Sequence, residues 1–145
     1  VTALELGIEL PPQEYAVTRA DLVRYAGASG DRNPIHWSDR VAASVGLPGV
    51  IAHGMFTMAL LGRALDTWAG APGRVLEVGC KFTKPVVVPD DDEGVVVRVS
   101  GSVSAVDGER VSVALDVRCG EEKVLGMPKA VLSAVPVDPD GPAGD

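Results

Sequence analysis

The stretch His53-Gly54-Met55-Phe56-Thr57-Met58-Ala59-Leu60-Leu61-Gly62-Arg63-Ala64-Leu65-Asp66-Thr67-Trp68 decides how the rest of the chain must be arranged. Apolar or small residues at Met55, Met58, Gly62, Leu65 and Ala69 recur at helical spacing, and Phe56, Ala59, Leu60 and Leu61 occupy other sides. The spacing predicts a helix over about residues 53–68. A helix apolar nearly all round has to be wrapped by other structure on most of its faces. Its longest apolar run, Met55 to Leu61, stops at Arg63, short of the roughly 20 residues that a membrane span requires.

Beyond Gly73 the period changes from helical to two. Val95, Val97, Val99, Val103 and Ala105 point one way, and Arg98, Ser100, Ser102 and Ser104 the other. Asp107-Gly108 is a hairpin turn signal, and the alternation returns through Val111, Val113, Leu115, Val117 and Cys119. Gly120-Glu121-Glu122 turns the chain into a last strand over about 123–134, where Pro128 fits an edge or a bulge better than a central position. An earlier strand over about 75–83 shows Leu76, Val78, Cys80 and Phe82 on one face.

Four such strands read as an antiparallel meander whose apolar face needs a cover, and the long helix is the only element large enough. The predicted fold is therefore α+β: an antiparallel sheet wrapped around one long central helix, the hot-dog architecture.

The N-terminal part supplies shorter pieces. Pro11-Pro12 ends an apolar and acidic opening, and Glu14 to Val17 is a short strand candidate. Thr18 caps a helix over about 19–28, with Asp21 complementing its dipole and Gly27 and Gly30 closing it. A short amphipathic helix covers Asp39 to Val45. Residues 1–135 form a single domain, and the Pro/Asp/Gly-rich tail from Pro136 (136–145) is predicted to be disordered.

Composition narrows the function classes. The 145 residues carry a net charge of -7 and no basic block, so nucleic acid and anionic membrane are poor partners. Hydrophobic residues make up 46% but aromatics only 4%, and such surplus apolar surface favours association with a second subunit. Cys80 and Cys119 stand far apart without ligand-like spacing, and with no signal segment at Val1 they read as reduced thiols of a cytoplasmic protein.

The chain has two histidines, each in a glycine-flanked turn. Gly30-Asp31-Arg32-Asn33-Pro34-Ile35-His36 sets a carboxylate and an imidazole five residues apart. Pro34 fixes its own φ and pushes Asn33 toward an extended conformation, and Asn33 suits a hydrogen bond that holds the turn shut. Burial and neighbours tune both groups for acid/base work. Read alone, the turn serves equally well as a helix end followed by a satisfied polar histidine.

The second turn, Ile51-Ala52-His53-Gly54-Met55, opens the long helix. Backbone N–H groups at a helix start are unpaired, and Gly54 has no side chain to keep a carbonyl away, which suits an oxyanion hole. A glycine-eased helix start accounts for the same residues. Asp31, His36 and His53 lack metal-ligand spacing, so no metal is expected.

Taken together, Tyr25-Ala26-Gly27-Ala28-Ser29-Gly30-Asp31-Arg32-Asn33-Pro34-Ile35-His36 and Ile51-Ala52-His53-Gly54-Met55 resemble the signature of the MaoC-like (R)-specific enoyl hydratase/dehydratase family. The likeness runs from about Tyr15 to Ala134. Thr18 to Gly27 and Asn33-Pro34-Ile35-His36-Trp37 look most like the catalytic B subunit of the heteromeric (3R)-hydroxyacyl-acyl-carrier-protein dehydratases of fatty-acid elongation.

The resemblance implies reversible hydration of an enoyl thioester on coenzyme A or acyl carrier protein, without a cofactor. Asp31 and His36 would be the catalytic pair, the Gly54 N–H would polarise the thioester carbonyl, and His53 and Asn33 would complete the oxyanion and substrate-binding set. The acyl chain would enter a tunnel between two subunits, as a homodimer or as a heterodimer with a paralogous hot-dog subunit. Some homodimeric members carry a serine where this chain has Gly62, which weakens a four-residue catalytic scheme. A hot-dog thioesterase and a non-catalytic structural subunit are the competing readings. The former lacks the Asp-x-Asn-Pro-x-His turn, and the latter has no chemical need for Asp31 and His36.

Overall fold

The alternating strands build one antiparallel sheet, and the apolar helix lies against its inner face. A computed structural model of the chain describes residues 3–135, so the expected tail disorder lies outside the described residues. The elements run β1 (Glu9–Val17), α1 (Arg19–Ser29), a 3₁₀ turn (Pro34–His36), α2 (Asp39–Ser44), α3 (Gly54–Ala69), β2 (Val75–Phe82), β3 (Val95–Asp107), β4 (Arg110–Cys119), β5 (Glu122–Lys123) and β6 (Leu125–Ser133). The α+β hot-dog architecture read from the periodicities is the one observed.

Strand order is β1-β3-β4-β6-β2, with the short β5 paired to β4. The meander therefore holds for β3, β4 and β6 only. β2 does not precede β3 in space; it crosses to the far edge and pairs with β6. The crossing segment after β2 carries the buried Val86 and Val88, whose burial against the core draws it across instead of into a tight turn.

Prolines mark two places where the register of the sheet shifts. Pro11-Pro12 does not end the first segment but lies within β1, at the register shift between Leu10 and Gln13. Proline lacks the N–H that a ladder needs, and β1 is an edge strand, so the pair is tolerated there. Pro128 belongs to β6, which lies between β4 and β2 and is no edge. It sits beside Met127 (φ 47°) at the shift between Gly79 and Lys81, so it occupies a bulge.

α1 begins at a capping box in which the Thr18 side chain accepts from the Asp21 N–H and the Asp21 carboxylate accepts from the Thr18 N–H at 2.9 Å. Gly27 lies inside this helix rather than closing it, and Gly30, at φ 77°, makes the left-handed exit.

α3 packs against β1, β2, β3 and β6. Thr57, Leu60, Leu61, Ala64, Leu65 and Trp68 form its buried stripe, against core residues such as Val97, Val99, Val111 and Leu132. The helix is not covered all round. Met55, 56% exposed, begins an open side that continues through Ala59 to Arg63 and Asp66.

Candidate active site

Each half of the site is built by local hydrogen bonds before the two halves meet. After Gly30, the Asp31 N–H donates to Ser29 Oγ at 3.1 Å and the Asn33 N–H donates to Asp31 Oδ1 at 3.2 Å. Asn33 Oδ1 then accepts from the Ile35 N–H at 3.2 Å, capping the 3₁₀ turn in which Pro34 is already shaped for helix. The turn delivers His36 to a buried position while Asp31 keeps a side chain 54% exposed.

The His36 ring is held from the other half. Its Nδ1 lies 2.7 Å from the Ile51 carbonyl, and a carbonyl only accepts, so Nδ1 carries the proton. Nε2 is thereby turned toward Asp31, with Asp31 Oδ2 at 3.8 Å. That separation is longer than a direct hydrogen bond. It leaves both groups available to a substrate placed against them.

Ile51 is fixed in turn by a bridge to Val87, and the neighbouring Ala52 N–H donates to Val86 O at 2.9 Å. The strand-crossing segment thus positions the acceptor that orients the imidazole. Arg19 braces the same region: its guanidinium donates to Val88 O at 2.6 Å and to Asp39 Oδ1 at 2.9 Å. The Arg19 hydrogen bond, helped by the Val50 N–H, lowers the Asp39 carboxyl pKa below its ordinary value.

His53 is the N-cap of α3 and is buried. Its Nε2–H donates to the Asp31 main-chain oxygen at 3.0 Å. Its ring stacks on His36 with centroids 3.7 Å apart and planes 21° from parallel, and the Tyr25 ring packs edge-on at 4.7 Å. Its Nδ1 is enclosed without a partner.

Gly54 is the first residue of α3, and its N–H has no carbonyl to bond within the helix. A Cβ there would come 3.0–3.1 Å from the Phe82 ring, so glycine lets that ring close over the helix start. A cavity of about 390 Å³ opens at this point, with His36, Gly54, Thr57, Phe82, Val86 and Leu125 in its wall. Its surface is mostly apolar, the usual character of a small-molecule site.

The structure therefore brings Asp31, His36, His53 and Gly54 together and leaves Asn33 apart. The Asn33 side chain is spent as the turn's cap and is exposed; like Asp31 and His53 it stands outside the cavity wall, but unlike them it makes no side-chain contact with the histidine pair. Asp31, His36 and His53 each offer a ligand atom within 4.8 Å of the others. Two stacked imidazoles direct their in-plane lone pairs alongside each other rather than at one point, which suits a shared cation poorly.

Sequence reasoning misses three contributors. Ile51 acts through its carbonyl, whatever its side chain. Phe82 and Thr57 read as ordinary members of a strand and a helix. Only the fact that Thr57 is polar within the apolar stripe of α3 marked it out.

The family defined by the MaoC-like domain matches residues 7–121 of this chain. Over 126 residues the chain is 35% identical to the 3-hydroxybutyryl-CoA dehydratase of Methylorubrum extorquens, covering 84% of this chain and 76% of that protein. A solved MaoC-like dehydratase superposes with a TM-score of 0.84 at 34% identity, over 89% of this chain but only 40% of that one. The unliganded R-hydratase PhaJ1 of Pseudomonas aeruginosa superposes with a TM-score of 0.77 at 28% identity, over 98% and 93% of the two chains. These matches and the site define a MaoC-like hydratase/dehydratase domain. The chain belongs to the MaoC-like dehydratase family.

Proposed function

We propose that this chain is a hydro-lyase that interconverts (3R)-3-hydroxyacyl thioesters and trans-2-enoyl thioesters. The observation that carries this reading is the facing of Asp31 Oδ2 and His36 Nε2, 3.8 Å apart, with His36 and Gly54 both lining an apolar cavity. Dehydration removes a proton from the α-carbon and adds one to the departing hydroxyl, so the pair must hold one proton between them. Asp31 takes the α-proton, His36 protonates the hydroxyl, and water leaves as the Cα–Cβ double bond forms. The enolate that develops on the thioester oxygen is met by the Gly54 N–H at the positive end of α3. After one turnover the proton has moved from one member of the pair to the other.

The stereochemistry follows the R-hydratase relative, and the thioester substrate follows the coenzyme A dehydratase relative. Either coenzyme A or acyl carrier protein suits as the carrier. The open side of α3 at Met55 and the apolar residues of edge strand β2, with Leu76, Val78 and Phe82 all exposed, support pairing with a second hot-dog subunit, identical or paralogous. The closeness of the N-terminal motif to the dehydratase B subunit supports the paralogue. Among the described residues no helix is long and apolar enough to cross a membrane, and a cytoplasmic location is proposed.

The deciding experiment is hydration of crotonyl-CoA by the purified chain, alone and co-purified with a co-expressed paralogue, with chiral analysis of the product. (R)-3-hydroxybutyryl-CoA is expected. Release of free coenzyme A with crotonate would instead establish a thioesterase, and inactivity in both preparations would leave the chain a structural subunit.

A further inference from the structure

Thr57 is 3% exposed, yet its hydroxyl has no hydrogen-bond partner among the described residues. In a helix a threonine hydroxyl ordinarily returns to the carbonyl four residues back. Thr67, ten residues further along α3, does this with Arg63 O at 3.0 Å. Thr57 makes no such bond to His53 O, although that carbonyl is within the same turn and accepts the Thr57 N–H at 3.2 Å. The Thr57 oxygen is also not sealed in the interior: the enclosed, unpartnered side-chain atoms are the Tyr15 hydroxyl and His53 Nδ1. Thr57 lines the same cavity as His36 and Gly54, so its hydroxyl is left facing that cavity.

Helix geometry says what the hydroxyl can reach. Residues three apart share a helix face, and every Cα–Cβ bond leans toward the helix N-terminus. The Thr57 side chain therefore lies over the turn that presents the Gly54 N–H. A ligand oxygen aimed at that N–H comes up beside the threonine hydroxyl.

We infer that Thr57 is a second donor to the thioester carbonyl oxygen, hydrogen-bonding through its hydroxyl alongside the Gly54 N–H. The inference rests on the hydratase reading and adds to it a substrate-contacting residue. The oxygen gains negative charge as the α-proton moves, so the bond strengthens in the transition state and its loss falls on kcat more than on KM.

The test compares Thr57→Val, which keeps the side-chain shape without the hydroxyl, with Thr57→Ser, which keeps the hydroxyl. T57V should lose about 10- to 100-fold in kcat, at the lower end of what one oxyanion donor contributes, with KM changed little. T57S should stay within about threefold of wild type, on the same donor argument. Thr57→Ala against Thr57→Ser differs only in the hydroxyl and carries the test if valine disturbs folding, as thermal melts of all variants will report. Wild-type rates in T57V, or equal loss in T57S and T57A, would overturn the role of Thr57 and leave the hydratase reading standing. An inactive wild-type preparation, with and without a co-expressed paralogue, would overturn both.

Discussion

The side chain of His53 holds the main chain of Asp31: its Nε2–H donates to the Asp31 carbonyl oxygen at 3.0 Å, across a sequence separation of 22 residues. The backbone of His53 leads directly into Gly54, whose N–H opens α3. One residue thus ties the carboxylate turn to the helix start proposed to meet the substrate oxygen. The stacking of its ring on His36 leaves the three groups proposed to carry the chemistry with little independent freedom. Catalysis depends on such preset geometry, because small misplacements of reacting groups cost large factors in rate.

The His53 link predicts a graded response. His53→Gln retains an N–H donor at a similar reach and should stay within about tenfold of wild-type kcat, while His53→Ala should lose about 100-fold, the scale of a misplaced catalytic group. A merely structural role would lower the melting temperatures of both variants without separating their kcat values. Steady-state kinetics beside thermal melts distinguishes the two cases.

Removing either member of the pair should stop the chemistry and spare the fold. Asp31→Asn and His36→Ala should each lower turnover by roughly 10²- to 10⁴-fold, the range for loss of a general acid or base. Circular dichroism should match wild type. Near-normal turnover in either folded variant would remove the pair from the mechanism.

Gly54 leaves room for the Phe82 ring and is proposed to leave its N–H open to substrate, and a double substitution separates the two demands. Gly54→Val would drive a side chain into the Phe82 ring, which already lies 3.0–3.1 Å from the position of a Cβ, and would also stand in front of the helix start. Adding Phe82→Ala should recover much of the lost thermal stability while the enzyme remains inactive. Recovery of activity in that double variant would show that the clash, and not access to the N–H, was at fault.

The Arg19–Asp39 brace should make stability depend on acid pH. The Asp39 pKa is lowered in the folded chain, so its ionised form contributes stability above the ordinary carboxylate value and loses it as pH falls through the folded value. Asp39→Asn should therefore lower the melting temperature at neutral pH, and the gap to wild type should close in strong acid. A gap that is constant from neutral to acid pH would rule out the ion pair as its source.

Light scattering should report a dimer or a dimer of dimers, because edge strand β2 and the Met55 side of α3 leave apolar surface uncovered. A stable, fully active monomer would overturn the subunit pairing. An active homodimer would remove only the paralogous partner.

What the sequence determined by itself was everything carried by local periodicity and turn chemistry. The alternation of valines against serines and Arg98 placed the sheet's inner face, the apolar run after Gly54 identified the central helix, and Thr18 and Asp21 set the start of α1. The Asp31 and His36 pair was legible because a stiff Asn-Pro turn fixes their spacing within seven residues. Strand order was not legible: pairing β2 with β6 instead of β3 depends on which faces bury Val86 and Val88, and no window of sequence contains that choice. Pro128 was legible as an edge or bulge residue and lies at a bulge, but the irregularity at Pro11-Pro12 was not, since a ladder gap becomes tolerable only once neighbours are known. The orientation of His36 by the Ile51 carbonyl, the grip of His53 on Asp31 and the unpartnered Thr57 hydroxyl all arise between segments distant along the chain or from a bond left unmade. Only the tertiary structure decides such contacts, because backbone carbonyls are the same in every residue and a hydroxyl's partner depends on what folding brings beside it.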